Sequence, residues 1–148
     1  GKRQMVRLIN QTPPAAGQEL AYRVLLDEIP TPRAPGENQA GLTFQMRYSV
    51  PLFVYGSGLD PDTARPELSW KLVNREGKQA LEITNRGSTH ARLSNVTLGG
   101  RTLSGSLLGY VLANASNTFP LSFPASGRAE IYAELEHKQT WRSTSSAR

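Results

Sequence analysis

The chain has 148 residues, 38% of them hydrophobic and 20% charged, with a formal net charge of +5 and no cysteine. This composition is globular and fits one or two small domains; it excludes disulfides and thiolate-ligated metal sites, and no apolar run approaches the roughly 18 residues of a membrane helix. The positive charge is spread along the chain, and its densest stretch, Lys2, Arg3 and Arg7, lacks the interleaved aromatics of a single-strand binder, so no nucleic-acid partner is expected. Gly1 is followed by "KRQMVRLINQ" rather than by an apolar core and cleavage site, which puts any targeting signal upstream or already removed.

Gly, Pro, Asn and Ser recur between segments rich in Val, Leu, Ile, Thr and Tyr with alternating character, the pattern of an all-β chain. Strands are expected first at Gln4–Ile9 and Glu19–Glu28. A third, Leu42–Tyr55 ("LTFQMRYSVPLFVY"), puts Leu42, Phe44, Met46, Tyr48 and Val50 on one face and Thr43, Gln45, Arg47 and Ser49 on the other. At about 3.3 to 3.4 Å per residue it outruns the usual strand, and Pro51 within it requires a sheet edge or a bulge. "GSGLDPDTARP" then breaks the alternation with the composition of an interdomain connection, able to hold a turn of helix at most. Beyond it strands are expected at Glu67–Val73, with Trp70 in the core, and at Gln79–Asn85, Ala91–Leu98, Leu108–Leu112 and Arg128–His137, before a frayed "RSTSSAR" end.

The strands after the connection suffice for a small β-sandwich, whereas three strands before it cannot bury both faces of a sheet. The first part therefore reads as the later portion of a domain, and its uncovered apolar face and free edges predict self-association or strand exchange. Chemistry is sparse. His90 and His137 have no nearby imidazole or carboxylate at metal-binding spacing and read as solvated or edge-strand residues. Asp27 and Glu28 are adjacent, so on a strand they point to opposite faces. "GSG" and "GGRTLSGS" lack the Lys of a phosphate loop, and there is no nucleophile elbow. The reading is a non-enzyme with no catalytic residues, no metal and no cofactor. Asn10, Asn95 and Asn114 begin glycosylation-type triplets, which carry no weight without a eukaryotic secretory route.

"ELAYRVLLDEIP" (19–30), a Pro-rich loop and "FQMRYSVPLFV" (44–54) resemble the end of the N-terminal domain of a periplasmic pilus chaperone of the chaperone–usher pathway. "LEITNRGSTHARLSNVTL" (81–98) and "GYVLANASNTFPL" (109–121) resemble the C-terminal domain of the same PapD-like family, nearest to its archaic, spore-coat-U-type branch. The resemblance implies two immunoglobulin-like β-sandwiches, with residues 1–56 as strands E, F and G of the first, 57–64 as the hinge and 65–148 as the second. It also implies that about the first third of the mature protein precedes Gly1.

In such a family the long G strand enters the open groove of a pilin subunit, which is a sandwich missing a strand, and the subunit then passes to an outer-membrane usher. The resemblance assigns groove filling to Leu42, Phe44 and Met46, with Tyr48 turned either to the groove or to the chaperone's own core. Three such side chains contribute about 5 to 9 kcal/mol gross when buried, and association costs offset much of it. The Lys that grips the subunit's terminal carboxylate in the best-known branches falls at or next to Pro51 and is absent. Arg7, favoured, and Arg47, on the opposite face, are the substitutes through bidentate pairing. From periodicity alone, the same strand is an ordinary core strand, and a structural or adhesive immunoglobulin-like module without chaperone activity is the alternative function.

Overall fold

The structure, a computed structural model, describes Arg3, residues 5–29 and residues 45–144. Its regular elements are β-strands with one short 3-10 turn. Strands β1 (Glu19–Asp27) and β2 (Arg47–Tyr55) form a two-stranded antiparallel ribbon. Their register runs without a break from Glu19 opposite Tyr55 to Asp27 opposite Arg47, and Glu28 N donates to Met46 O at 2.9 Å beyond it. Because residues directly opposite share a face, one face carries Leu20, Tyr22, Val24 and Leu26 against Val54, Leu52, Val50 and Tyr48. The other carries Glu19, Ala21, Arg23, Leu25 and Asp27 against Tyr55, Phe53, Pro51, Ser49 and Arg47. Pro51 sits in unbroken register opposite Arg23. Of the two ways to tolerate a strand proline, this is the edge and not the bulge.

The rest is a two-layer sandwich. Strands β3 (Leu68–Arg75), β4 (Lys78–Asn85) and β7 (Ala115–Pro120) make one sheet in the order β3-β4-β7. Strands β5 (Ala91–Leu98), β6 (Arg101–Val111), β8 (Ile131–Glu134) and β9 (Thr140–Ser143) make the other in the order β6-β5-β8-β9, and all pairs are antiparallel. Alternate residues Trp70, Leu81, Ile83, Leu93, Val96, Leu98, Val111, Phe119 and Ile131 fill the space between the sheets, so Trp70 is the core residue its strand implied. The β3–β4 and β5–β6 hairpins close on Glu76-Gly77 and Gly99-Gly100, all four at positive φ, as a two-residue turn matched to strand twist requires. In β5 the register slips around Asn95, whose positive φ marks the irregular position and whose amide donates to Glu134 Oε2 at 2.7 Å.

Several expectations need correction. Met5–Ile9 form no strand; their alternation finds no ladder partner among the described residues, and Met5, Val6, Leu8 and Ile9 are exposed. The strand expected from Leu42 begins at Arg47, with Leu42 and Phe44 outside the described residues. The short stretch expected at Leu108–Leu112 is an eleven-residue strand whose polar first half hides the alternation. Strand β7, "ASNTFP", was not expected because its exposed positions are Ser, Asn and Pro. The strand expected over Arg128–His137 is cut to Ile131–Glu134 by the 3-10 turn Glu136–Lys138, in which His137 and Lys138 take positive φ. Arg142 and Ser143 belong to β9 rather than to a frayed end, and residues 145–148 lie outside the described residues. The 60–65 connection is a turn capped by Asp60, whose carboxylate accepts from Asp62 N at 3.0 Å and Thr63 Oγ1 at 3.0 Å.

Candidate functional site

The ribbon presents a free edge. Strand β2 pairs with β1 on one side and with no strand on the other among the described residues. Along its outer half the apolar residues of one face stand in solvent: Met46 is 48% exposed, Tyr48 52% and Val50 46%. Tyr48 Oη and Met46 Sδ lie 3.7 Å apart, so the two side chains run side by side along the strand. Toward Tyr55 the strand becomes half-buried. One strand thus has an exposed apolar end and an anchored end. Met46 and Tyr48 are the expected groove fillers that the structure describes. Tyr48 lies opposite Leu26 on the face that continues through Val24, Leu52 and Val54. Leu8 and Ile9 line an open apolar groove together with Tyr22, Val24, Leu52 and Val54 on that face.

The two arginines differ. Arg47 lies opposite Asp27 and engages both its oxygens, Nη2 donating to Oδ2 at 3.0 Å. The hydrogen bond to Asp27 raises the guanidinium above its ordinary value, so its fork is already occupied by a carboxylate of its own chain. Arg7 is exposed and has no ion-pair partner among the described residues. Asp27 and Glu28 do not cooperate: Asp27 holds Arg47, while Glu28 Oε2 accepts from Met46 N at 3.4 Å.

The anchored end meets the sandwich at a polar cluster that the sequence did not announce. His90, expected to be solvated or on an edge, is buried, its side chain 4% exposed, because the ribbon covers it. The His90 ring stacks on Phe53 of β2 with centroids 3.4 Å apart and planes 5° from parallel, and Tyr110 flanks both. Glu19 of β1 accepts from His90 N at 3.0 Å and faces Nδ1 at 2.8 Å. A carboxylate only accepts, so Nδ1 carries a proton. On the far side Glu136 Oε2 stands 3.3 Å from Nε2, near enough for charge attraction but not aligned as a hydrogen bond. Burial, then Glu19, Glu136 and Asp62, raise the Tyr55 hydroxyl above its ordinary value, the mark of negative charge converging on this junction. His137 is exposed, as expected.

Two backbone hydrogen bonds close the anchored end of the ribbon. Gly17 N donates to Ser57 O at 2.9 Å and Gly56 N to Gln18 O at 2.8 Å, which ties the start of β1 to the end of β2. Next to it, the buried Asn85 accepts from Glu67 N at 3.1 Å and Gly87 N at 2.9 Å and donates to Thr89 O at 2.8 Å and Val111 O at 3.2 Å. One amide thereby holds the loop that leads into His90. Among the described residues no group of three or more His, Cys, Asp or Glu is placed to hold a metal ion. No helix among them is long and apolar enough to cross a membrane.

The chain has counterparts among known proteins. Residues 1–60 match the family described as pili and flagellar-assembly chaperone, PapD N-terminal domain. The whole fold is similar, at a TM-score of 0.75 and 29% identity, to a chain of the CsuC–CsuE chaperone–tip adhesion subunit pre-assembly complex from archaic chaperone–usher Csu pili of Acinetobacter baumannii. The similarity is to PapD-type chaperones. The alignment takes in 96% of this chain and 67% of that one, and the archaic type agrees with the branch that the sequence resembles. No curated protein sequence matches. The fold is an immunoglobulin-like β-sandwich, similar to that of these chaperones.

Proposed function

We propose that this chain is a periplasmic chaperone that holds pilin subunits by donating β2 to their open groove and delivers them to an outer-membrane usher. The observation that carries the reading is the free edge of β2 together with the exposed apolar run Met46, Tyr48 and Val50 on one face. An unpaired strand edge with apolar side chains is a hazard unless a partner is meant to occupy it. Backbone groups of such an edge complete a partner's ladder whatever its sequence, and alternate side chains fill its core. Leu42 and Phe44 continue the same alternation and complete the groove-filling set. The likeness to a chain of a chaperone–subunit complex supports a pilin as the partner.

Under this reading residues 1–56 belong to the first domain, 57–64 to the hinge and 65–148 to the second domain; the family match over residues 1–60 supports the first boundary. Arg7 is the carboxylate anchor of choice, because Arg47 is already paired with Asp27. The test is co-purification of the full-length protein with a pilin subunit encoded beside it. Wild type retains the subunit, while Phe44→Asp and Met46→Asp lose it and stay folded. Arg7→Ala retains less. Equal recovery with the Asp variants removes the donated strand from the reading, and no complex with any variant or with wild type favours the adhesive module.

A further inference from the structure

We propose that His90 is a proton-operated latch between the ribbon and the sandwich: proton uptake at Nε2 draws the Glu136 carboxylate onto the ring, and proton loss releases it. The geometry separates the two ring nitrogens. Nδ1 is committed as a donor to Glu19, whose side chain is 1% exposed. Nε2 is buried, lacks a hydrogen bond and stands 3.3 Å from Glu136 Oε2. In the neutral ring this nitrogen presents a lone pair to a carboxylate oxygen, which repels. In the imidazolium it presents an N–H and a positive charge, which attract. Histidine is the side chain that ordinarily changes charge near neutrality, which sets the range over which the contact is tested.

The groups around the ring favour such a response. Glu19 comes from β1, Phe53 and Tyr55 from β2, Tyr110 from β6, and Glu136 with the neighbouring His137 from the 3-10 turn. Arg92, on β5 two residues after His90, lines the same pocket yet forms no ion pair among the described residues. Asp62 of the connection adds negative charge at Tyr55. With the ring neutral, neither Glu19 nor Glu136 has another basic group within ion-pair distance among the described residues. With the ring protonated, one cation serves both. The movable partner is Glu136: its side chain is 40% exposed, and it begins a turn whose next two residues take positive φ. Glu19 and Phe53 carry any change in the ring directly to β1 and β2.

The test is a nuclear magnetic resonance titration of the whole chain from pH 5 to 8.5, following the His90 ring and the amides of Glu19, Gly56 and Glu136. In wild type these amides move with the same midpoint as the His90 ring. In His90→Gln they stay still, and in His137→Gln they still move. Glu136→Gln, altered at a partly exposed side chain and therefore safe for folding, uncouples the turn amides from the His90 ring. A His90 ring that titrates while the amides stay still overturns the latch. So does a ring with no titration in this range, or an unchanged amide response in His90→Gln or Glu136→Gln.

Discussion

A methyl group would disrupt the closed end of the ribbon, where β1 starts and β2 ends. A Cβ on Gly56 would lie 2.0 Å from Ala15 O, a backbone atom held by the turn that starts β1. Gly56→Ala should therefore cost about 1 to 3 kcal/mol, as overpacking does, read from urea unfolding. Asn85 is the second such residue. Asn85→Ala strands the Glu67 and Gly87 amides and should cost at least about 1 to 3 kcal/mol. Asn85→Asp should not rescue it, because the carboxylate cannot donate to Thr89 O and Val111 O; stability equal to wild type in either variant contradicts the role of the network. At this scale the sequence was least informative. His90 reads as solvated because its partner Glu19 lies 71 residues away and its neighbours Ser88 and Thr89 are polar. Burial there is a product of docking, which local pattern does not encode. Arg47 reads as available for a ligand because Asp27 comes opposite it only once the register is set.

Among the elements, strands with a strict alternation were legible: Ala91–Leu98 matches its expectation to the residue, and β1, β3 and β4 differ by at most two residues at an end. Those that failed did so for identifiable reasons. Strand β7 hides behind the exposed polar pair Ser116 and Asn117, one on each face, and β6 behind a polar half. Residues 5–9 find no ladder among the described residues. Strand β2 shows what periodicity can and cannot carry. It placed Met46, Tyr48 and Val50 on one face, yet exposure at one end and anchoring at the other follow from where the sandwich stops. Because Met46 and Tyr48 are exposed, Met46→Lys and Tyr48→Lys should change unfolding stability by no more than about 0.5 kcal/mol, measured by thermal or urea melts. A larger loss would mean that these side chains serve the chain's own core rather than a partner.

At the scale of the whole molecule, the ribbon exposes Leu20, Tyr22 and Leu26 on the face that also carries Tyr48 and Val50. An apolar face beside a free edge favours association, so light scattering on this 148-residue chain should give an apparent mass that rises with concentration. A concentration-independent monomer would contradict this. The sandwich, by contrast, closes its own core and serves as the platform on which the ribbon is held. Because the chain contains no cysteine, a single introduced thiol reports one position without background. The most direct measurement is thiol accessibility along β2, one cysteine at a time at positions 44 to 48, free and in complex with a pilin subunit. The account predicts that Phe44→Cys, Met46→Cys and Tyr48→Cys react freely alone and become protected in the complex, while Gln45→Cys and Arg47→Cys remain reactive. Protection that does not alternate, or no protection at any of the five, would contradict strand donation.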